Sequence, residues 1–432
     1  MEKRHLRQLL ETCSRRQFVA ALGLASGHTI LKSSAAVAAL RELAHPVVVV
    51  SDPTGAAIQA AINSLRSGGT IYLTATEPYV INATLVIGTN AINLIGLGPK
   101  HTTLLAEHGA VLTVSYHAEE QLLLVQGASN VSISGLKVDT QNEDNSSGLR
   151  QGISVWNSSA VQISNVSFVR NLGPNAYNRA LAFQQSSNVT ANRCVVSQSR
   201  DGILVWECII FNLTECNVHD CEVLGSTFTG VVSGINLINS ASGNVSSCSI
   251  SHNAVPGGMF VTNCENLVIK RCTVSETMPF PGQPGNDGIF IQFSPTGPIT
   301  VQNCKLIRNS GAGVSVQGSS NVTIQMCEAW NSGTLGKGGS GISIDGGTQN
   351  VQVTKNTVSD TRNPSYGGIV AGYSSASDID SSISHNVVYG LAQGVALGPN
   401  SSNFTVEYND LTQNGTCVLN QGTNNTILDN TC

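Results

Sequence analysis

Three carboxylates stand where they could act as general acids, general bases or nucleophiles. Asp201 and Asp287 each come directly before a glycine that opens a Gly-Ile-x-apolar phrase, and Glu207 follows the aromatic Trp206. Paired carboxylates cleave glycosidic bonds when they lie about 5 to 5.5 Å apart in retaining enzymes, or about 6.5 to 9.5 Å apart in inverting ones. The spatial separation of these three groups therefore decides what chemistry they can do.

A second set of side chains would suit an elimination reaction. Such a reaction needs a base and a cation that neutralises a carboxylate of the substrate. His219, next to Asp220, is the candidate base, and Arg271 is the candidate cation. For these groups, as for the three carboxylates, the alternative is an ordinary solvated turn residue. The choice depends on the elements that position them.

From about residue 129 to the last residue the chain repeats one phrase. It reads Gly-Ile/Val-x-Val/Ile, then Ser-x-Asn-Val-x-Ile, then a small residue, and it recurs about every 27 residues. Each copy holds three short alternating apolar stretches joined by Gly, Asn and Ser turns, which favours strands. One copy cannot bury its own apolar side, but stacked copies can. The pattern predicts an all-β fold, a single-stranded parallel β-helix solenoid.

One position of the repeat predicts a column of inward-facing side chains. Cysteine occupies it in six consecutive copies and asparagine in the next four. A buried thiol packs as a small hydrophobe, and stacked asparagine amides can bond to one another along the axis. The members are Leu136, Val166, Cys194, Cys216, Cys248, Cys272, Cys304, Cys327, Asn356, Asn386, Asn409 and Asn430. A metal site is disfavoured here because no close C-x-x-C pair occurs.

Four further cysteines are disulfide candidates. Cys208 with Cys221, and Cys417 with Cys432, are the better-placed pairs, and the sequence leaves their pairing open.

The strand that opens each copy predicts an outward stripe. Residues one and three after the glycine should face the core, so residues two and four after it should face out. This stripe carries aromatic rings and amides, which suit the apolar faces and polar edges of sugars. The predicted binding residues are Trp156, Gln184, Trp206, Asn236, Phe260, Phe290 and Gln292. The alternative is that loops between copies fold over the stripe and bury it.

Stacking also sets the distances between the candidate carboxylates. Asp201 and Asp287 are three copies apart, which at the spacing of strands is about 14 Å. That separation is too large for a catalytic pair. Glu207 approaches Asp201 only if the strand between them turns.

The start of the solenoid is predicted to carry a cap. Residues 52–65 fit a capped amphipathic helix with Ile58, Ile62 and Leu65 on one face. A helix there would cover apolar core that the open end of a solenoid exposes.

The same region resembles a known family. Residues 57–65, Gly68-Gly69-Thr70-Ile71-Tyr72-Leu73 and Ile95-Gly96-Leu97-Gly98 are similar to the entry segment of pectin-lyase-like right-handed β-helix proteins. The resemblance implies a right-handed coil over nearly all of the mature chain. It transfers no activity, because Asn286-Asp287-Gly288 matches the polygalacturonase motif only loosely and the motifs of pectate lyases and mannuronan epimerases do not occur.

The first 38 residues resemble a twin-arginine export signal. A basic start leads to Ser14-Arg15-Arg16-Gln17-Phe18, an apolar stretch and Ala36-Val37-Ala38 as a cleavage site. The apolar stretch is too short to span a bilayer, so we expect no stable membrane insertion and a periplasmic or extracellular location. The expected divisions are the signal at 1–38, an N-terminal segment with the capping helix at 39–70, and the β-helix at 71–432.

The amino-acid composition limits the classes of binding partner. Charged residues make up 11% of the chain and the net charge is -5, which disfavours a nucleic-acid partner. The acidic segment 139–144 could bind Ca²⁺ through carboxylate and carbonyl oxygens, with a plain turn insertion as the alternative. No other cofactor is predicted.

These features predict an exported β-helix protein that binds a polysaccharide on the outward stripe, with cleavage of lyase or hydrolase type as a further expectation. The alternative is a non-catalytic surface or envelope protein that contacts glycan or protein. A close pair of carboxylates, or a base beside a cation, on adjacent copies would separate the two.

Overall fold

The short apolar stretches of the repeat form strands. The computed structural model describes residues 46–107, 120–142, 150–172, 178–221, 233–253, 257–278, 286–333, 340–360 and 367–432. The predicted export signal lies outside these residues, and Val48 to Cys432 form one unit. No helix in the described part of the chain is long and apolar enough to cross a membrane.

The described elements are one α-helix and short strands. The helix α1 covers Gly55–Ser64. Numbered along the chain, the strands are β1 Val47–Val50, β2 Gly69–Leu73, β3 Tyr79–Ile81, β4 Leu85–Ile87, β5 Ile92–Gly96, β6 Thr103–Ala106, β7 Glu120–Gln126, β8 Ser132–Asn142, β9 Arg150–Trp156, β10 Gln162–Asn171, β11 Arg179–Gln184, β12 Ser187–Asn192, β13 Val195–Ser197, β14 Asp201–Trp206, β15 Ile209–Thr214, β16 Asn217–His219, β17 Ile235–Ile238, β18 Ala241–Ser246, β19 Ser249–Ser251, β20 Gly257–Thr262, β21 Leu267–Lys270, β22 Thr273–Ser275, β23 Asp287–Gln292, β24 Ile299–Gln302, β25 Lys305–Ile307, β26 Val314–Gln317, β27 Val322–Gln325, β28 Glu328–Trp330, β29 Ile342–Asp345, β30 Gln352–Thr354, β31 Thr357–Ser359, β32 Gly367–Ala371, β33 Asp378–Ile379, β34 Ser382–Ser384, β35 Val387–Tyr389, β36 Gln393–Leu397, β37 Ser401–Ser402, β38 Thr405–Glu407, β39 Thr416–Asn420 and β40 Thr426–Leu428.

Each copy of the repeat forms one coil of a parallel β-helix. One strand of each coil joins a 13-strand sheet in the order β4, β7, β9, β11, β14, β17, β20, β23, β26, β29, β32, β36 and β39. The other described strands form a 25-strand sheet, except that β33 and β37 pair with each other. The pairing is parallel from coil to coil, which confirms the predicted fold class.

The glycine that opens each copy is required by close packing between coils. A Cβ atom on Gly202 would lie 2.1 Å from the carbonyl oxygen of Gly234 and 2.7 Å from the side chain of Val218. No side chain fits at such distances, so the coil can bend into the 13-strand sheet here only with glycine.

The predicted inward column is confirmed. Its members from Leu136 to Asn409 are at most 2% exposed, and the six cysteines belong to the hydrophobic core. The asparagine amides bond in series, with Nδ2 of Asn356 donating to Oδ1 of Asn386 (3.0 Å) and Nδ2 of Asn386 donating to Oδ1 of Asn409 (2.9 Å). The column therefore ties successive coils together from inside.

The predicted capping helix is present as α1. The hydroxyl of Thr54 accepts a hydrogen bond from the backbone N–H of Ala57 at 3.2 Å, as an N-cap does. Ile58, Ile62 and Leu65 are buried, and the helix packs against β3 and β4 at the first coils.

Of the cysteine pairs left open by the sequence, one forms a disulfide. Cys417 and Cys432 are bonded with their Cα atoms 5.6 Å apart, which ties the end of the chain to β39. Cys208 and Cys221 are instead buried thiols.

Asn386→Ala tests the amide column. Asn386 accepts from the backbone N–H and the amide of Asn356, so truncation leaves buried donors without an acceptor. We expect the free energy of unfolding to fall by about 2 to 4 kcal/mol, measured by urea denaturation. The control Asn93→Ala removes a longer, partly exposed bond of 3.4 Å to Thr70 and should cost far less. Equal losses in the two variants would contradict a structural role for the column.

Replacing both Cys417 and Cys432 by serine should loosen the last coil. The bridge closes a segment with a sequence separation of 15, and a loop of that length is worth about 3 kcal/mol. Hydrogen exchange should show lost protection in β39 and β40, with β14 unaffected. Unchanged protection in β39 and β40 would show that the bridge is dispensable.

Candidate functional site

The outward stripe points away from the core, but much of it is buried. Two residues after the repeat glycine, Asn236 is 1% exposed and Phe260 is 7% exposed. Four residues after the position of that glycine, Gln184 is 5% exposed. The expectation that solvent reaches these three residues is wrong. Alternation along a strand gives the direction of a side chain and not what covers it.

The remaining predicted stripe residues are partly exposed. Phe290 packs edge-to-face on Phe260 with the ring centroids 5.6 Å apart, and Gln292 bonds to Gln317 in the next coil. Trp156 and Trp206 are in register two coils apart, with Gln184 between them. The two indoles thus stand on one line parallel to the solenoid axis.

An open cavity of about 450 Å³ lies where the 13-strand sheet turns into the 25-strand sheet. We call it the turn groove. Its lining is Asn90, Gly127, Ala128, Ser129, Asn157, Ser158, Ser159, Gln185, Ser186, Ser187, Glu207 and Ile209. These residues come from five successive coils, so the groove runs about 19 Å along the axis at the spacing of strands. Trp156 and Trp206 directly precede the lining residues Asn157 and Glu207.

Left-handed backbone turns create the groove. Asn157, Gln185 and Glu207 all have φ between 46° and 52°, so each coil bends sharply at the same place. The following serines stack, and the hydroxyl of Ser186 accepts from the backbone N–H of Ser158 at 3.1 Å. At the next turn position Ser129, Ser159 and Ser187 align in three successive coils, and Ile209 takes that position in the fourth. Sequence reasoning missed the groove because it followed the strands and not the turns.

One hydrogen-bonded chain crosses the groove wall. Nε1 of Trp156 donates to Oε1 of Gln185 at 2.9 Å, and Nε2 of Gln185 donates to Oε2 of Glu207 at 2.9 Å. Asp201 begins the six-residue strand β14 and Glu207 directly follows its end, about 20 Å away. The strand does not turn between them, so Glu207 does not approach Asp201.

Asp201 sits in a buried polar cluster on the outward side of β14. Its carboxylate accepts from Nε of Arg179 at 3.3 Å, from the backbone N–H of Ser233 at 3.2 Å and from Nδ2 of Asn236 at 3.4 Å. Burial raises the pKa of Asp201 above its ordinary value, and Arg179 and the other donors offset part of the rise. The group is fully buried, so it holds coils together and does not face solvent.

Asp287 repeats this arrangement three coils further on. Its Oδ1 accepts from the backbone N–H of Ala312 at 2.7 Å, and Ser315 also donates to the carboxylate. Burial raises the pKa of Asp287 to about 6. Ala312 and Ser315 are the counterparts of Ser233 and Asn236, so both aspartates clamp their own coil to the next. The register keeps the two aspartates three coils apart, as predicted.

His219 and Arg271 do not come together. His219 ends β16 and bonds through Nδ1 to Asp220 at 2.7 Å. Arg271 directly follows β21, before β22, so it lies two coils from His219 and in a different turn, roughly 16 Å away. The predicted base-and-cation pair is therefore wrong.

A different charged row lies beside His219. His252, Glu276 and Arg308 directly follow β19, β22 and β25, each in a left-handed turn. The Glu276 carboxylate contacts the imidazole of His252 on one side and the guanidinium of Arg308 on the other. The sequence signal that could have found them is their common place after the last strand of a coil.

The acidic segment expected to bind Ca²⁺ is only partly described. Asp139 is buried and takes a two-pronged contact from Arg170, while residues 143–149 lie outside the described residues. No group of three or more His, Cys, Asp or Glu side chains suited to a metal ion occurs in the part that the structure describes.

Asp287→Asn should remove a pH dependence of stability. The pKa of Asp287 is raised from 3.8 to about 6 by folding, so the folded state favours the protonated carboxyl. Its stabilising contribution is complete below about pH 4 and is lost as the pH rises through about 6. Relative to Asp287→Asn, the wild-type free energy of unfolding should therefore fall by about 3 kcal/mol over that range, measured by urea denaturation. The exposed Asp52→Asn serves as control, and parallel pH profiles for wild type and Asp287→Asn would contradict the assignment.

Solved structures with the same architecture are distant in sequence. The A-module of the Azotobacter vinelandii mannuronan C-5 epimerase AlgE6 superposes with a TM-score of 0.58 at 16% identity, over 89% of this chain and 97% of that one. The Dettilon tailspike protein gives 0.59 at 14% identity, over 86% and 68%. DFA-IIIase from Arthrobacter chlorophenolicus A6 gives 0.51 at 12% identity, over 82% and 91%. At such identities the likeness shows the fold alone.

Sequence comparisons agree with the fold. No curated protein sequence matches the chain significantly. The family model described as right handed beta helix region matches residues 151–328 and 283–432, which together take in more than half of the chain. The coil is thus right-handed, and the chain belongs to the right-handed β-helix family.

Proposed function

We propose that the protein binds a polysaccharide in the turn groove. The single observation that carries the proposal is the aligned lining beside two tryptophans, in which serine occupies one turn position in three successive coils and side-chain amides occupy another in two of them. A glycan chain also presents the same groups at regular intervals. A groove with a regular lining therefore fits a polymer better than a small isolated ligand.

The tryptophans supply the apolar part of such a site. Sugar rings offer C–H faces that pack on indole and polar edges that bond to amides and hydroxyls. Trp156 is fixed by its bond to Gln185, so little side-chain entropy is lost when a ligand packs on it. Trp206 stands two coils along the same line, about 10 Å away.

Binding is the activity that this geometry supports best. The described lining holds one carboxylate, Glu207, whereas hydrolysis of glycosidic bonds generally uses two. Asp201 and Asp287, the other candidates, are engaged as clamps between coils. We therefore propose glycan binding, and cleavage would be detected separately as new reducing or unsaturated ends after the protein is incubated with a polysaccharide.

The structural neighbours are consistent with this proposal, but the proposal itself rests on the site. The epimerase module acts, by its name, on mannuronan, and DFA-IIIase was solved in complex with the ligand GF2. The fold hosts many activities, so function has to be argued from the site.

Trp156→Ala and Trp206→Ala are the direct tests. Each should weaken binding by at least about tenfold for the best ligand of a panel of polysaccharide fragments, because a packed aromatic anchor is lost. Binding would be measured by isothermal titration calorimetry. The matched control is Trp330→Ala, since Trp330 is 51% exposed but lies on β28 in the other sheet.

The control distinguishes the groove from general surface attraction. If Trp330→Ala weakens binding as much as the two groove variants do, the glycan does not lie in the groove. If no fragment in the panel binds the wild-type protein, the proposed function is wrong.

A further inference from the structure

The described lining of the turn groove lacks the positive charge expected of a site that binds an acidic polymer. Of its twelve lining residues, Glu207 is the one that carries a charge, and Lys and Arg are absent from this lining as the structure describes it. The others are serine, asparagine, glutamine and small or apolar residues. Proteins that hold carboxylate groups use cations, above all arginine, which matches a carboxylate with two hydrogen bonds.

The Glu207 side chain is held in place at the wall of the groove. Its left-handed backbone (φ 52°) puts it at the turn, and its Oε2 accepts from the side-chain amide of Gln185 at 2.9 Å. That partner is neutral, so it orients the carboxylate without cancelling its charge. The amide is in turn fixed by Trp156, which links the charge to the aromatic wall.

The physical consequence is selectivity by charge. A uronate unit bound in the groove would bring its own carboxylate close to Glu207 with no cation to separate them. This repulsion is strongest at low salt, because the screening length is about 10 Å at 0.1 M and about 30 Å at 0.01 M. The net charge of -5 acts in the same direction at longer range. A neutral sugar meets no such penalty, and its hydroxyls can donate to Glu207.

We infer that the turn groove selects an uncharged glycan and rejects polyuronates, with Glu207 as the residue that sets this preference. The inference rests on the proposed function and adds the class of ligand to it. It separates this chain from the epimerase module, whose name gives mannuronan, a polyuronate, as its polymer.

The test compares neutral and uronate oligosaccharides of equal length on the full protein. Calorimetric affinities at about 0.01 M and 0.1 M salt give the ratio of neutral to uronate binding. In the wild type this ratio should exceed about ten at low salt and fall as salt is added. In Glu207→Gln, which keeps an acceptor for Gln185, the low-salt ratio should fall at least about fivefold.

The matched control is Glu215→Gln. Glu215 is an exposed carboxylate near Glu207 in the chain, but it pairs with Arg193 at 2.6 Å and lies outside the groove lining. This variant should leave the ratio as it is in the wild type. An equal drop in both variants would mean that overall charge, and not Glu207, sets the preference.

Two results would overturn the inference. The first is uronate binding as tight as neutral binding, and the second is a ratio that does not respond to Glu207→Gln. In each case glycan binding itself stands, whereas failure of every glycan to bind would overturn the proposed function as well.

Discussion

The structure depends on one constraint, the vertical alignment of equivalent residues in successive coils. Parallel pairing fixes the register, so that Ile203, Ile235, Met259 and Ile289 form one line although they are far apart in the chain. Each repeat position therefore occurs again one strand spacing further along, whichever residue occupies it. The core, the turns and the groove therefore all repeat at the spacing of successive coils.

The inside and the outside of the coil use this alignment differently. Inside, cysteine or asparagine fills the same small space in each coil from Cys194 onward, and the amides of Asn356 and Asn386 also bond along the column. Outside, the aspartates before the glycines clamp one coil to the next. At the turns the same periodicity leaves polar groups partly exposed, and these form the proposed glycan site.

The inward features could be predicted from the sequence because buried positions permit few residue types. The column from Leu136 to Asn430 and the helix around Ile58 and Ile62 therefore left a clear pattern. Solvent exposure left none, since Phe260 and Asn236 point outward as expected and are buried all the same.

The functional geometry was harder to predict because it lies in turns. Glu207, Gln185 and Asn157 occupy equivalent left-handed positions, yet their residue types differ from coil to coil. The same holds for His252, Glu276 and Arg308, whereas Arg271 follows β21 and so lies in a different turn from His219. Aligning the turn residues by their position in the repeat would have placed the members of each of these two rows together.

The most direct test of the account is a structure of the protein with a neutral oligosaccharide bound. We expect successive sugar units to cross Ser159, Ser187 and Glu207, with rings packed on Trp156 or Trp206. A sugar chain seated on the other sheet near Trp330, or crossing the coils at an angle that ignores their register, would contradict the claim that aligned turns build the site.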